Sequence, residues 1–145
     1  MAEALALASG VASLLSLVVG VTNTSHEFIQ NVRHASGEIQ SYFMELTNLE
    51  KVLKELDNLV NNPKYKVLWA QHGYFLFTDS GVNECRQLLE ALQEKLQKVM
   101  PGKSKAHKLL KHLRWPFTAG ELQKVIDRLH RIQGTFHASL SIQGL

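Results

Sequence analysis

The sequence predicts an all-α protein, a bundle of four to five antiparallel helices with an apolar helix at its amino terminus. Long segments repeat apolar residues at spacings of three and four, the period of one helix face. The three prolines, Pro63, Pro101 and Pro116, fall between those segments, where a helix can end. The short run Tyr74-Phe75-Leu76-Phe77 could pass for a strand, but no second run offers it a partner.

The first helix opens on Ala4–Val21, 18 residues without a charge. A helix that is apolar nearly all round must be covered by its own bundle, by a partner or by lipid. Its length sits at the lower edge of a bilayer span. Ser9, Gly10, Ser13, Ser16 and Gly20 dilute it, which argues against a permanent anchor. No basic residue precedes it, so it does not read as a signal peptide. The same small residues recur at spacings of three and four and form a close-packing face. Leu7, Val11, Leu14, Leu15 and Val18 run beside them. Beyond Val21, Asn23-Thr24-Ser25 supplies either caps or a break, and Phe28, Ile29 and Val32 continue the pattern. The segment is one helix from about Glu3 to His34, bent near Gly20, or two helices; Ser36-Gly37 punctuates it.

The second helix has the strongest pattern, Ile39, Tyr42, Phe43, Leu46, Leu49, Val52, Leu53, Leu56 and Val60, with Glu50 and Lys54 as an i,i+4 pair. Asn61-Asn62-Pro63 closes it. Residues 64–77 read as a connector whose aromatics fill the core. Asp79 or Ser80 caps a third helix, whose face is Val82, Cys85, Leu88, Leu89, Leu92, Leu96 and Val99. A shorter basic helix follows Pro101-Gly102, with Leu109, Leu110 and Leu113 as its apolar positions. Trp115-Pro116-Phe117 forces an extended turn, because a residue before proline avoids the helical region. Thr118 and Glu121 then form a capping box for the last helix, which carries Leu122, Val125, Ile126, Leu129, Ile132, Phe136 and Leu140.

The chain has 145 residues, 45% of them hydrophobic and 20% charged, a composition that fits one globular domain over 1–145. Cys85 is the single cysteine and cannot form an internal disulfide, so an intracellular protein is the simplest expectation. The net charge of +3 conceals an asymmetry: residues 1–60 carry seven acids against three bases, and the remainder thirteen bases against six acids. No acid occurs from Lys95 to Gly120. Lys98, Lys103, Lys105, Lys108, Lys111 and Arg114 therefore form a candidate patch for anionic lipid, unless they are only a solvated face. Nucleic acid is a poorer fit, since few aromatics interleave with these cations.

Catalytic chemistry is not indicated. Gly102-Lys103-Ser104 resembles the end of a phosphate loop, but Gln97 stands where that loop needs glycine, and a helix precedes it rather than a strand. The seven histidines are scattered without a metal-ligand spacing, and no nucleophile has an identifiable base. Asn23-Thr24-Ser25 matches a glycosylation sequon, which means little without a signal peptide. The expectation is a non-enzyme without cofactor or metal.

The opening MAEALALASGVASLLSLV, the segment Phe28-Ile29-Gln30-Asn31-Val32-Arg33, the long helix from Glu45 to Leu56 and the turn Leu110–Phe117 together resemble the HeLo-like amino-terminal domain of fungal STAND proteins, the NOD-like receptors of fungi. Trp115-Pro116-Phe117 is the most specific part, and the resemblance spans the chain. It implies a cell-death-inducing effector of non-self recognition (heterokaryon incompatibility), a cytoplasmic bundle recruited to the plasma membrane that self-associates and forms pores. A sensor module in cis or in trans would control it. Carried onto this chain, the membrane-active helix would present Leu5, Leu7, Val11, Leu14, Leu15, Leu17, Val18 and Val19. The alternative is a helical oligomerisation adaptor without membrane activity.

Overall fold

The computed structural model describes residues 2–31, 37–64, 79–99 and 115–142, with 2–8, 30–31, 79–80, 99 and 139–142 described by backbone alone. Among these residues the protein is a bundle of four helices: α1 (Ala2–Asn31), α2 (Gly37–Val60), α3 (Asp79–Val99) and α4 (Ala119–Ile142). Residues 65–78 and 100–114, which hold the expected connector 64–77 except for Lys64 and the expected short basic helix, lie outside the described residues.

α1 is one continuous helix through Gly20 and Asn23-Thr24-Ser25. The hydroxyls of Thr22 and Thr24 donate back to the carbonyls of Val18 and Gly20, at 2.7 and 2.9 Å. Bonded inside the helix, these polar groups need not break it to find partners. The apolar stripe of α1 continues to Phe28, as expected, and takes in Val21 and Ser25 on the way. Val11, Leu14, Val18, Val21, Ser25 and Phe28 step by three and four and are all buried.

α2 buries Ile39, Tyr42, Leu46, Leu49, Val52, Leu53, Leu56, Leu59 and Val60. Glu50 and Lys54 pair on its surface at 3.7 Å, as their spacing predicts. At its end the Asn62 side chain accepts the Lys64 amide at 3.0 Å. Pro63 and Lys64 are already helical again, so Asn62 marks the end of α2 and its side chain takes the amide two residues on. α3 buries Cys85, Leu88, Leu89, Leu92 and Leu96, and α4 buries Leu122, Leu129, Ile132 and Phe136. At the start of α4 the Glu121 amide donates to the Thr118 hydroxyl, and that hydroxyl donates to the Glu121 carboxylate, each at 3.2 Å. The capping box is therefore present, closed through the threonine hydroxyl.

α1 packs on α2 and on α3, α2 packs on α4, and α3 meets α4 more lightly. Lys95 meets Glu121 and Glu84 meets Arg131, so α3 and α4 run antiparallel. Gly10 lies beside Val82 and Gly20 beside Gln93, so α1 and α3 run parallel. Consecutive helices alternate in direction, as expected, yet the square they form is α1–α2–α4–α3. One apolar core runs through all four.

The Trp-Pro-Phe turn plugs one end of this core. Trp115 lies edge-on to Phe28 of α1 (5.9 Å between ring centres) and to Tyr42 of α2 (5.6 Å), and Phe117 lies 5.3 Å from Trp115. Edge-to-face contacts at these distances add to the apolar burial.

Candidate functional site

The candidate site is α1, and what decides its chemistry is which side of it is covered. Of the residues assigned to a membrane-active face, Val11, Leu14 and Val18 are at most 1% exposed. Leu15 and Leu17 pack against the same core from its margin, and Val19 is half-buried. The side chains of Leu5 and Leu7 lie outside the described residues. In this state the apolar face of α1 is thus the wall of the bundle's own core.

The opposite side carries Ser9, Ala12, Ser13 and Ser16, all exposed. From Ser9 to Ser25 α1 carries no acidic or basic residue, and Glu27 is the first charge beyond. Of the glycines expected within a small-residue face, Gly20 is half-buried and shares a groove with Ser13 and Ser16, whereas Gly10 does not join them. Gly10 is buried against α3, where a Cβ would lie 3.6 Å from Val82, while the serines face outward. A shallow groove of about 410 Å³ runs between Ser13, Ser16, Leu17 and Gly20 of α1 and Glu90 and Gln93 of α3. Among the described residues no helix is long and apolar enough to cross a membrane.

One polar contact anchors α1 inside the core. The Ser25 hydroxyl lies 2.8 Å from the Tyr42 hydroxyl, and both residues are fully buried. Burial pushes the Tyr42 phenol far above its ordinary range, so it stays protonated and able to donate. Spacing alone does not reveal this pair, because Asn23-Thr24-Ser25 looks like a cap or break. The place of Ser25 four residues after Val21 is the signal that it belongs to the stripe.

The basic patch is described only at its start. Lys98 is exposed and lies 3.4 Å from Glu94, one turn earlier. Its neighbour Lys95 pairs with Glu121 of α4 and lies 4.9 Å from the centre of the Phe117 ring. Lys95 holds the Glu121 carboxyl below its usual range, with the Thr118 hydroxyl adding to the effect. Lys103, Lys105, Lys108, Lys111 and Arg114 lie outside the described residues.

Cys85 lies on the buried stripe of α3, as its spacing predicts. Burial, reinforced by Glu84, pushes its thiol up to about 12, leaving it a protonated hydrophobe. Among the described residues no group of three or more His, Cys, Asp or Glu side chains is placed to hold a metal ion.

A family model described as the pigment biosynthesis cluster protein PigL N-terminal domain matches residues 2–142. No curated protein and no solved structure matches the chain significantly.

Proposed function

The chain belongs to the PigL N-terminal family, a fungal HeLo-like domain family, and from that premise we propose that it is a membrane-targeting effector domain whose active element is α1. In this reading the domain is held closed in the cytoplasm by a sensor module, in cis or in trans. Once released it self-associates at the plasma membrane and kills the cell by perturbing the bilayer. It has no catalytic residue, and anionic phospholipid is its partner.

The observation that carries the reading is the two-sidedness of α1. Val11, Leu14, Val18 and Val21 are buried in the bundle, while the outward side offers Ser9, Ala12, Ser13 and Ser16 rather than charges. A surface helix of a soluble bundle ordinarily carries charges on its outer face. Without them, α1 can exchange its protein cover for lipid at little electrostatic cost. In this reading the exchange is a release of α1 followed by assembly on the bilayer.

Dye release from vesicles with and without anionic lipid tests this. The intact chain should cause leakage, and a chain starting at Val21 should not. Ser9→Glu with Ala12→Glu leaves the buried face untouched and adds charges that cost about 2.5–3.5 kcal/mol each at a bilayer centre. That variant should fold and fail to leak. Leakage that survives both changes rules the reading out.

The uncharged outer face also suits a second reading, an adaptor that oligomerises through α1. A stable lipid-free oligomer that leaves vesicles intact and is disrupted by Ser9→Glu with Ala12→Glu would establish it.

A further inference from the structure

α3 is tied to the bundle unevenly. It packs along α1, where Val82 lies against Gly10 and Gln93 beside Gly20, and it meets α4 only lightly. α2, by contrast, packs extensively on both α1 and α4. Charged side chains join α3 to α4 at two points. Near the start of α3, Arg131 donates to Glu84 at 2.8 Å. Near its end, Lys95 pairs with Glu121 and covers the Phe117 ring. The four charged side chains are between 39% and 65% exposed, so water and salt reach both pairs.

We propose that the α3/α4 seam is the line along which the bundle opens, and that Lys95–Glu121 and Arg131–Glu84 are an autoinhibitory clasp keeping α1 covered. The inference rests on the reading of α1 as the active element. α1 has two walls, α2 and α3. Separating α1 from α2 exposes apolar area and breaks the buried Ser25–Tyr42 bond. Separating α3 from α4 breaks two exposed ion pairs and a lighter helix–helix contact, together with the part of the shared core that lies between them. The second opening parts the lighter contact, and with that edge free α3 has only its packing along Gly10 and Gly20 of α1 left to lose before the face of Val11, Leu14 and Val18 loses a wall. A surface dense in phospholipid anions competes with Glu121 and Glu84 for Lys95 and Arg131, and so favours the open form.

The test is hydrogen exchange on the intact chain without lipid, comparing it with Glu84→Gln/Glu121→Gln. Glutamine at 121 keeps the capping box, so the variant removes charge without removing the cap. Amides of α1 from 11 to 21, and those of α3, should exchange roughly three- to tenfold faster, the range two exposed pairs support. Amides of α2 from 46 to 56 should not change. Glu84→Arg should speed exchange as well, and adding Arg131→Glu should slow it again. Unchanged exchange, or equal acceleration in all four helices, overturns the clasp. Dye release run in parallel separates the two ideas. Faster α1 exchange with no leakage from either protein sustains the clasp and rejects the membrane reading. Leakage from both with unchanged exchange rejects the clasp alone.

Discussion

Ser25 of α1 and Tyr42 of α2 share a hydrogen bond of 2.8 Å with no exposure of either residue. It places a directional contact inside an otherwise apolar interface, at the end of the bundle plugged by Trp115 and Phe117. Ser25→Ala strands the Tyr42 hydroxyl, at an expected cost of about 1–3 kcal/mol in denaturant unfolding. Adding Tyr42→Phe should recover most of that loss, because neither partner then remains. Equal, additive losses in the double variant would show that the two hydroxyls do not interact.

Leu14 and Met44 should separate core from surface. Leu14 has no exposure, so Leu14→Ala should cost about 2–5 kcal/mol. Met44 is 63% exposed on α2, and Met44→Ala should change stability by no more than about 0.5 kcal/mol. Chemical denaturation of both variants checks the contrast.

Gly10→Ala should stabilise the protein. A Cβ there would meet Val82 at 3.6 Å and Arg86 at 3.9 Å, both ordinary contacts. Alanine also restricts the unfolded chain and favours the helix, giving a gain of about 0.5–1 kcal/mol. A loss of stability would show that α1 and α3 approach more closely than this spacing.

Alkali should unfold the protein through Cys85 and then Tyr42. Burial raises both groups above their unfolded values of 9.0 and 10.0. A raised folded value means the stabilising contribution is complete below the unfolded value and is lost as pH climbs toward the folded one. Stability should therefore be flat up to about pH 9, then fall by up to about 1.4 kcal/mol per pH unit as the unfolded Cys85 ionises. Cys85→Ala should lower overall stability and remove that first decline, leaving the one that starts near pH 10. Denaturant midpoints between pH 7 and 11 read both slopes.

The helices were legible because period is a local property: the stripes Val11–Leu14–Val18 and Ile39–Tyr42–Leu46 can be counted without knowing the fold. The continuity of α1 was not, because Asn23-Thr24-Ser25 reads as a break until Thr22 and Thr24 are seen to bond inside the helix. The acid-free segment from Lys95 looked unopposed for a similar reason. Glu121 reaches Lys95 from 26 residues away, through packing that no count along the chain contains. Glu94, one turn from Lys98, was within reach of a spacing argument. That the apolar face of α1 is buried was open between bundle, partner and lipid, because one helix's hydrophobicity does not say which of them covers it.

If α1 leaves its protein cover for lipid, a fluorophore on its outer face will report the change. Ser16→Cys is exposed in the closed bundle, whereas Cys85 is buried and protonated, so an environment-sensitive dye should label position 16 selectively. On anionic vesicles the account requires a blue shift of the dye and quenching by a quencher attached to the lipid tails. Water-like emission from protein that is vesicle-bound, or that is causing leakage, would contradict it.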